Sequence, residues 1–315
     1  MNAASAATTA TATATGAVND PPRRADFRLL HRLRVRWAEV DPQGIVFNGH
    51  YLQYVDTAMA GYWRALALPY PAALAELGGD LFVRHAALDY RASAHHDDLL
   101  EVGVRCERIG GRSMTYRCAV FRAEQCLVAV ELVYVHAVSD ADGRRRSTPV
   151  PVALRELALG FEAGEAMLVT RTGGWAELGE RAQAIRTEVF VREQQIPAAL
   201  EWDAADASCT HALASNRLSR ALATGRLLPT QADMASGLRT GRIGRMAVTA
   251  AMRGSGVGQA VLEALLQAAR ARGDQQALLH AQQSAVGFYL RAGFRPQGPA
   301  FVEAGIVHQE LVLTL

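Results

Sequence analysis

One long amphipathic helix set among strands constrains the fold of the first half of this chain more than any other feature. Beyond Asn48, apolar residues recur at helical spacing, so that one face of the segment is apolar: Tyr51, Leu52, Val55, Ala58, Met59, Tyr62, Trp63 and Leu66. A strand-like alternation precedes this helix, and four strand-like runs follow it, over 27–37, 81–90, 99–109, 113–122 and 126–138. The short connections between the later runs predict antiparallel neighbours in one sheet.

The second half of the chain has a different order of elements. A length of 315 residues predicts two domains, because a single core rarely organises so many. A linker is expected at 160–165, and strands and helices then alternate in a mixed α/β pattern. We therefore predict a disordered Ala- and Thr-rich tail at 1–25, a first domain at 26–160 and a second at 165–315.

Composition and charge exclude several classes of function. The net charge is +2 and the basic residues, all of them arginine, are scattered over both halves, which argues against nucleic acid as a partner. No apolar run is long enough to cross a membrane. The four cysteines lack C-x-x-C spacing, and the run His95-His96-Asp97-Asp98 is a poor metal cluster, because adjacent loop residues rarely converge on one ion. We expect buried thiols, no metal and a cytoplasmic location.

A carboxylate lies just upstream of the long helix. Asp41 precedes Pro42 and Gly44, and the helix starts near Asn48. A carbonyl oxygen develops negative charge when its carbon is attacked, and exposed N–H groups at a helix N-terminus, here those of Asn48 and Gly49, can stabilise that charge. A carboxylate a few residues away can attack the carbonyl or activate water, and His50 can contact the substrate. Alternatively, Asp41 is a turn residue, Asn48 a helix N-cap and His50 a structural residue of the helix face.

The run from Val35 to Tyr51, with its D-x-x-G followed by the helix, resembles the signature of the 4-hydroxybenzoyl-CoA thioesterase family of hotdog enzymes. The resemblance covers about 27–155 and implies an α+β hotdog fold, in which an antiparallel sheet wraps the long helix. It also implies acyl-CoA as substrate, Asp41 as nucleophile or general base, and active sites formed between paired subunits. Asn48 departs from the branches of the family that have Tyr or His at that position.

A glycine-rich loop in the second half, Arg253-Gly254-Ser255-Gly256-Val257-Gly258, follows a strand and opens a helix. Its backbone N–H groups and the helix dipole favour a pyrophosphate. A dinucleotide fold fits poorly, because Gln259 stands where G-x-G-x-x-G requires its third glycine; a plain tight turn is the other alternative.

This loop, followed by Ala281-Gln282 and by Phe288-Tyr289 before Gly293-Phe294, resembles the acetyl-CoA site of the GNAT superfamily of acetyltransferases over about 166–315. The resemblance implies acetyl-CoA or acyl-CoA as co-substrate. It assigns pyrophosphate binding to 253–258, pantetheine binding to Met246, Ala247 and Val248, and protonation of the leaving thiolate to Tyr289. Packing in the core is the alternative for Tyr289.

An acidic segment of the second half resembles the ElaA-like branch of the same superfamily. The run 185–194, with Glu201, Asp203 and Asp206, matches I-R-x-x-V-F-V-x-E-Q…E-x-D-x-x-D. The resemblance implies that Glu201 and Asp203 line the acceptor side and attract an amine, whereas the alternative is an exposed acidic loop.

Together these features predict a bifunctional enzyme that hydrolyses an acyl-CoA and transfers an acetyl or acyl group to an amine. We expect a homodimer or homotetramer formed through the first domain. The alternative function is an acyltransferase whose first domain only oligomerises or binds an acyl group.

Overall fold

The computed structural model describes residues 20–232, 237–303 and 305–315. The predicted tail at 1–25 lies mostly outside the described residues. The helices are α1 (Asn48–Ala65), α2 (Ala72–Glu76), α3 (Val152–Glu162), α4 (Trp175–Arg186), α5 (Ala198–Glu201), α6 (Val257–Ala271) and α7 (Val286–Arg291). The strands are β1 (Leu29–Arg34), β2 (Asp80–Tyr90), β3 (Leu99–Ile109), β4 (Ser113–Arg122), β5 (Gln125–Ser139), β6 (Arg145–Ser147), β7 (Leu168–Gly173), β8 (Thr210–Asn216), β9 (Ala221–Leu227), β10 (Gln231–Ala232), β11 (Arg239–Val248), β12 (Gln276–Gln282), β13 (Arg295–Pro296), β14 (Phe301–Glu303) and β15 (Ile306–Thr314).

The first half is an antiparallel sheet with the long helix packed on it. Its strands lie in the order β1-β3-β4-β5-β2, with β6 beside β5. Most of the predicted apolar face of α1 is buried, with Val55, Ala58 and Tyr62 fully enclosed, whereas Leu52 is exposed. The predicted order of elements and the antiparallel pairing are confirmed, and β3 and β4 have the predicted bounds.

The first strand is shorter than its alternation predicts. It ends at Arg34, because the chain then leaves the sheet and forms a single 3₁₀ turn, Trp37–Glu39. Val35 is still held beside the sheet, since its N–H donates to the carbonyl of Asp98 at 3.0 Å. The turn redirects the chain from the sheet toward α1.

The second half is a mixed sheet in the order β13-β15-β12-β11-β9-β8-β7. The predicted mixed α/β pattern is confirmed. Among the strand pairs that the structure describes in this sheet, only β11 and β12 run parallel. They pair from Thr240 with Gln276 as far as Ile243 with Leu279. Beyond this pair β11 continues through a bulge at Gly244–Ala247, so the two strands part. The buried side of α6, including Val261 and Leu265, packs on one face of this sheet.

The first helix of the second half, α4, changes its character where it ends. Regular α-helix ends at Arg186, and Thr187–Glu193 forms a wider π-helical turn. The N–H of Gln194 donates to the carbonyl of Val189, five residues back, at 3.1 Å. The wider turn puts both Val189 and Phe190 into a small core with residues of α4 and β8.

The two halves contact each other at the end of α1. The turn between β8 and β9 lies against the corner that joins α1 to α2: the Asn216 side-chain amide donates to the carbonyl of Ala67 at 3.1 Å, and Arg220 pairs with Glu76. Leu218 of this turn is packed against the apolar core. This interface therefore combines a buried hydrogen bond, an ion pair and apolar contact.

None of the helices within the described residues combines the length and the apolar character needed to cross a membrane.

Candidate functional sites

Asp41 lies in a tight turn directly before α1. Its N–H donates to the carbonyl of Ile45 at 2.9 Å, and Val40 forms an antiparallel bridge with Val46. Gly44 has a φ of 79°, a left-handed conformation that glycine adopts without strain. One carboxylate oxygen of Asp41 accepts the N–H of Gln43 at 2.9 Å, as a turn residue would. Among the described residues its other oxygen has no hydrogen bond, so it is available to a substrate.

A buried glutamate that sequence reasoning missed fixes this turn to the helix. Glu39 is only 4% exposed, and its carboxylate accepts the Tyr54 hydroxyl of α1 and the Arg36 N–H, both at 2.7 Å. Burial alone would raise the pKa of Glu39, but these hydrogen bonds outweigh it and lower that pKa. Its carbonyl accepts the Phe47 N–H at 2.9 Å. The only signal for this role in the sequence is an acidic residue two positions before Asp41.

The N-terminus of α1 is open. Phe47 occupies the N-cap position without a side-chain cap, and Asn48 is the first helical residue, so the interpretation of Asn48 as the N-cap is wrong. The N–H groups of Asn48 and Gly49 have no carbonyl one turn earlier to bind, as at any helix start. His50 has its ring Nδ1 2.7 Å from Gln53 Oε1, and the Tyr90 hydroxyl donates to the Asn48 carbonyl at 3.1 Å.

A groove of about 560 Å³ begins at Gly49 and runs along the exposed side of α1. Asp56 and Thr57 line it from the helix, and Val83 and Tyr134 from β2 and β5. The Asp41 turn, the free helix N-terminus and the groove thus occupy the same end of α1.

The glycine loop of the second half has the backbone that an anion cradle requires. Gly254 and Gly256 have φ values of 77° and 84°, and α6 begins at Val257 immediately afterwards. A Cβ on Gly258 would lie 3.1 Å from a methyl group of Val248, so a glycine allows close packing there. The N–H groups of Arg253 and Ser255 donate to the carbonyls of Ala250 and Met252 at 3.3 and 3.4 Å, so the N–H groups of the first turn of α6 are the ones open to an anion, as at any helix start.

Arg253 of this loop is held by a residue from the π-helical turn. Its guanidinium forms a bidentate ion pair with the Glu193 carboxylate, with both N–O distances at 2.6 Å. This hydrogen bond lowers the pKa of Glu193. Next along the chain, Gln194 accepts a hydrogen bond from the Gln282 side chain at 3.0 Å. The Glu-Gln pair of the sequence motif thus contacts both the glycine loop and the end of β12.

Comparison with known proteins agrees with this geometry in both halves. The family model "Thioesterase superfamily" matches residues 43–129, and "Acetyltransferase (GNAT) domain" matches residues 230–315. The uncharacterized N-acetyltransferase YjcF of Bacillus subtilis is 33% identical over 129 residues, 41% of this chain and 86% of that protein. The acyl-CoA thioesterase YbgC of Haemophilus influenzae is 28% identical over 90 residues, 29% of this chain and 66% of that protein. The chain joins a thioesterase-superfamily hotdog domain to a GNAT acetyltransferase domain.

Solved structures include relatives of the hotdog domain. A 4-hydroxybenzoyl-CoA thioesterase of Pseudomonas sp. strain CBS-3 is 22% identical with a TM-score of 0.38, covering 41% of this chain and 97% of that chain.

Tyr289 of the GNAT domain lies on α7, after β12. It is 7% exposed and packs against Phe288 and Phe294 with ring centroids 4.9 and 5.9 Å away. Burial raises its pKa, so the phenol stays protonated at neutral pH. No described residue forms a hydrogen bond with its hydroxyl. Met246, Ala247 and Val248 form the end of β11, where that strand has parted from β12.

The acidic residues of the GNAT domain are paired with arginines. Glu201 is 2% exposed and accepts Arg186 Nε at 2.5 Å, and Asp206 accepts another nitrogen of Arg186 at 2.8 Å. Asp203 forms a two-pronged pair with Arg226 at 2.6 and 2.7 Å, which lowers its pKa to about 2. These contacts occupy the carboxylates that the family pattern assigns to an amine, and they make Glu201 a partner of a buried arginine.

Proposed function

We propose that this chain is a bifunctional acyl-CoA enzyme. The hotdog domain hydrolyses an acyl-CoA thioester, and the GNAT domain transfers an acetyl or acyl group from CoA to an amine. One observation carries the proposal: each domain presents the open N-terminus of its longest helix. Asp41 lies in the turn before α1, and the ring of Phe288, the neighbour of Tyr289, lies 3.9 Å from where a Cβ on Gly258 of α6 would be.

In the hotdog domain, the thioester carbonyl binds with its oxygen toward the N–H groups of Asn48 and Gly49. These donors stabilise the negative charge that develops when the carbonyl carbon is attacked. The free oxygen of Asp41 either attacks that carbon or removes a proton from an attacking water. The C–S bond then breaks, and the CoA thiolate takes a proton from Asp41, where Asp41 has activated water, or from solvent. Where Asp41 is the nucleophile, water then hydrolyses the acyl–Asp41 anhydride, so both routes release a carboxylic acid. His50 and the groove beside Gly49 contact the substrate.

In the GNAT domain, the pyrophosphate of CoA lies on the loop 253–258, and its pantetheine follows Met246 to Val248 in the gap between β11 and β12. The neutral amine nitrogen attacks the thioester carbonyl carbon, and the C–S bond breaks. The departing thiolate takes the proton of Tyr289, and the proton that the amine nitrogen loses returns to Tyr289 through water. The phenol carries its proton at neutral pH, as an ordinary tyrosine does, but burial raises its pKa and so makes it a weaker acid.

We also propose that the enzyme is a homodimer or homotetramer formed through the hotdog domain. β2 is an edge strand of 11 residues, and large apolar side chains, including Val83 and Tyr90, are about half exposed on it. A long unpaired edge of this kind favours pairing with another chain. A cytoplasmic location is proposed because the four cysteines are free thiols.

A second candidate function is favoured by the turn itself. Because Asp41 already accepts the Gln43 N–H, its carboxylate has a complete structural role, and the hotdog domain would then only bind an acyl group or oligomerise.

Release of CoA from a panel of acyl-CoA thioesters, measured with and without a mixed pool of amines, tests the proposal. We expect some thioesters to release CoA without amine, and acetyl-CoA to release it faster when an amine is present. If no thioester is hydrolysed while amine-dependent release persists, the hotdog domain is a binding module; if neither occurs, the bifunctional proposal is wrong.

A further inference from the structure

The turn that holds Asp41 is part of a short loop whose two ends are joined. We call residues 39–47 the Asp41 loop. At its base the carbonyl of Glu39 accepts the Phe47 N–H at 2.9 Å, and nearer its tip the Asp41 N–H donates to the carbonyl of Ile45 at 2.9 Å. Phe47 is also the N-cap residue of α1. The Asp41 loop therefore carries the carboxylate at its tip and leads directly into the N-terminus of the helix.

One side-chain hydrogen bond joins the Asp41 loop back to α1. The Tyr54 hydroxyl, from the second turn of the helix, donates to Glu39 Oε2 at 2.7 Å. Both side chains are almost fully buried, so the bond is shielded from water. Within the described residues it is the only side-chain hydrogen bond between the Asp41 loop and the helix. The bond therefore closes a ring of chain that contains both Asp41 and the open N-terminus of α1.

Glu39 has no acceptor position left for a substrate. Its Oε2 accepts the Tyr54 hydroxyl and the backbone N–H of Arg36, both at 2.7 Å, and its Oε1 accepts Nε and Nη2 of Arg36 at 2.7 and 2.5 Å. Four donors fill the acceptor positions of a carboxylate, and the guanidinium balances its charge. Asp41, in contrast, has one carboxylate oxygen without a hydrogen bond among the described residues.

We propose that Glu39 and Tyr54 are positioning residues of the hotdog site, which hold Asp41 in one place relative to the N–H groups of the first turn of α1. Attack on a carbonyl requires both groups in one geometry, and a displacement of about 1 Å can cost about 10² in rate. Neither side chain lines the groove beside α1, so both act through the groups that they hold. This inference rests on the proposed hydrolysis by the hotdog domain.

Two phenylalanine variants of α1 separate positioning from general stability. Tyr54→Phe removes the hydroxyl that Glu39 accepts. Tyr62→Phe removes a similar buried hydroxyl near the other end of the helix, which donates to Glu162 at 2.9 Å. Each variant keeps its ring, and each carboxylate keeps another donor, since Glu162 also accepts the Cys106 N–H at 2.8 Å. Both variants should therefore lower the melting temperature to a similar extent.

Hydrolysis of acetyl-CoA, hexanoyl-CoA and benzoyl-CoA by the full-length protein is the first measurement. In Tyr54→Phe we expect kcat to fall about tenfold or more with KM within about twofold of wild type, because the groove is intact while the reacting groups are displaced. Tyr62→Phe should keep kcat within about twofold of wild type. The second measurement is hydrogen exchange of the Phe47 N–H, which should be about tenfold faster in Tyr54→Phe and unchanged in Tyr62→Phe.

Wild-type kcat in Tyr54→Phe would overturn the inference, and so would equal losses of kcat in the two variants, because the hydroxyls would then contribute only stability. Exchange of the Phe47 N–H that is the same in Tyr54→Phe as in wild type would overturn it as well. A wild-type protein that hydrolyses none of the three thioesters defeats the proposed hydrolysis instead. The exchange rates then decide by themselves whether Glu39 and Tyr54 hold the Asp41 loop.

Discussion

Replacement of Gly256 by alanine should either lower stability or weaken one of the two proposed CoA sites. Gly256 has a φ of 84° at the N-cap of α6, and a Cβ there would meet no atom within 4 Å. The cost is therefore backbone strain without a clash, about 1–2 kcal/mol for a non-glycine residue in the left-handed region. If the loop keeps its shape, this cost lowers the melting temperature of the domain by about 2–8 °C.

If the loop instead relaxes, its N–H groups turn away from the pyrophosphate. The same 1–2 kcal/mol then appears as a loss of CoA affinity of about fivefold to thirtyfold. Calorimetry on the full chain should show one weakened site, while the hotdog site serves as an internal control. Gly111→Ala, at a position with an ordinary φ and no neighbour within 4 Å, should change neither quantity. Unchanged stability together with two unchanged sites would refute the phosphate-loop assignment.

Three further changes test the two sites and one buried carboxylate. Asp41→Asn keeps an oxygen for the Gln43 N–H, so thioester hydrolysis should fall by about 10²–10⁴ with acyl transfer intact; hydrolysis at the wild-type rate would exclude Asp41. Tyr289→Phe should lower kcat for transfer by about 10²–10⁴ with little change in KM for acetyl-CoA, whereas wild-type values for both would make Tyr289 a core residue. Hydrogen bonds from two arginines hold the pKa of Glu101 at about 2, below its ordinary 4.5. The charged carboxylate therefore stabilises the fold fully above pH 4.5, and this stabilisation is lost as the pH falls toward 2. Glu101→Gln should flatten the decline of the melting temperature in acid, and an unchanged decline would contradict this reasoning.

The sequence was sufficient for features that depend on local spacing. The apolar period of α1, the bounds of β3 and β4, and the left-handed glycines of the loop at 254–256 all follow from residues close together in the chain. The turn around Asp41 could also be predicted from the sequence, because Pro42 and Gly44 favour a turn there.

Contacts between distant residues could not be predicted in this way. Glu193 and Arg253 are 60 positions apart, and only the folded sheet and the π-helical turn bring them together. The acidic segment illustrates the same limit, because its charge pattern suggests an open amine site until the buried Arg186 is seen between Glu201 and Asp206. Charge in a sequence does not reveal which counter-charge the fold supplies.

The length of α1 separates the proposed thioester site from the contact with the second domain. Eighteen residues of helix span about 27 Å, with the proposed thioester site at the first turn and the contact with the GNAT domain, through Ala67 and Asn216, just beyond the last. The helix therefore places the proposed thioester site about one helix length from this contact between the domains. The fusion fixes the ratio of the two domains at one to one, with the proposed thioester site at the opposite end of α1 from this contact.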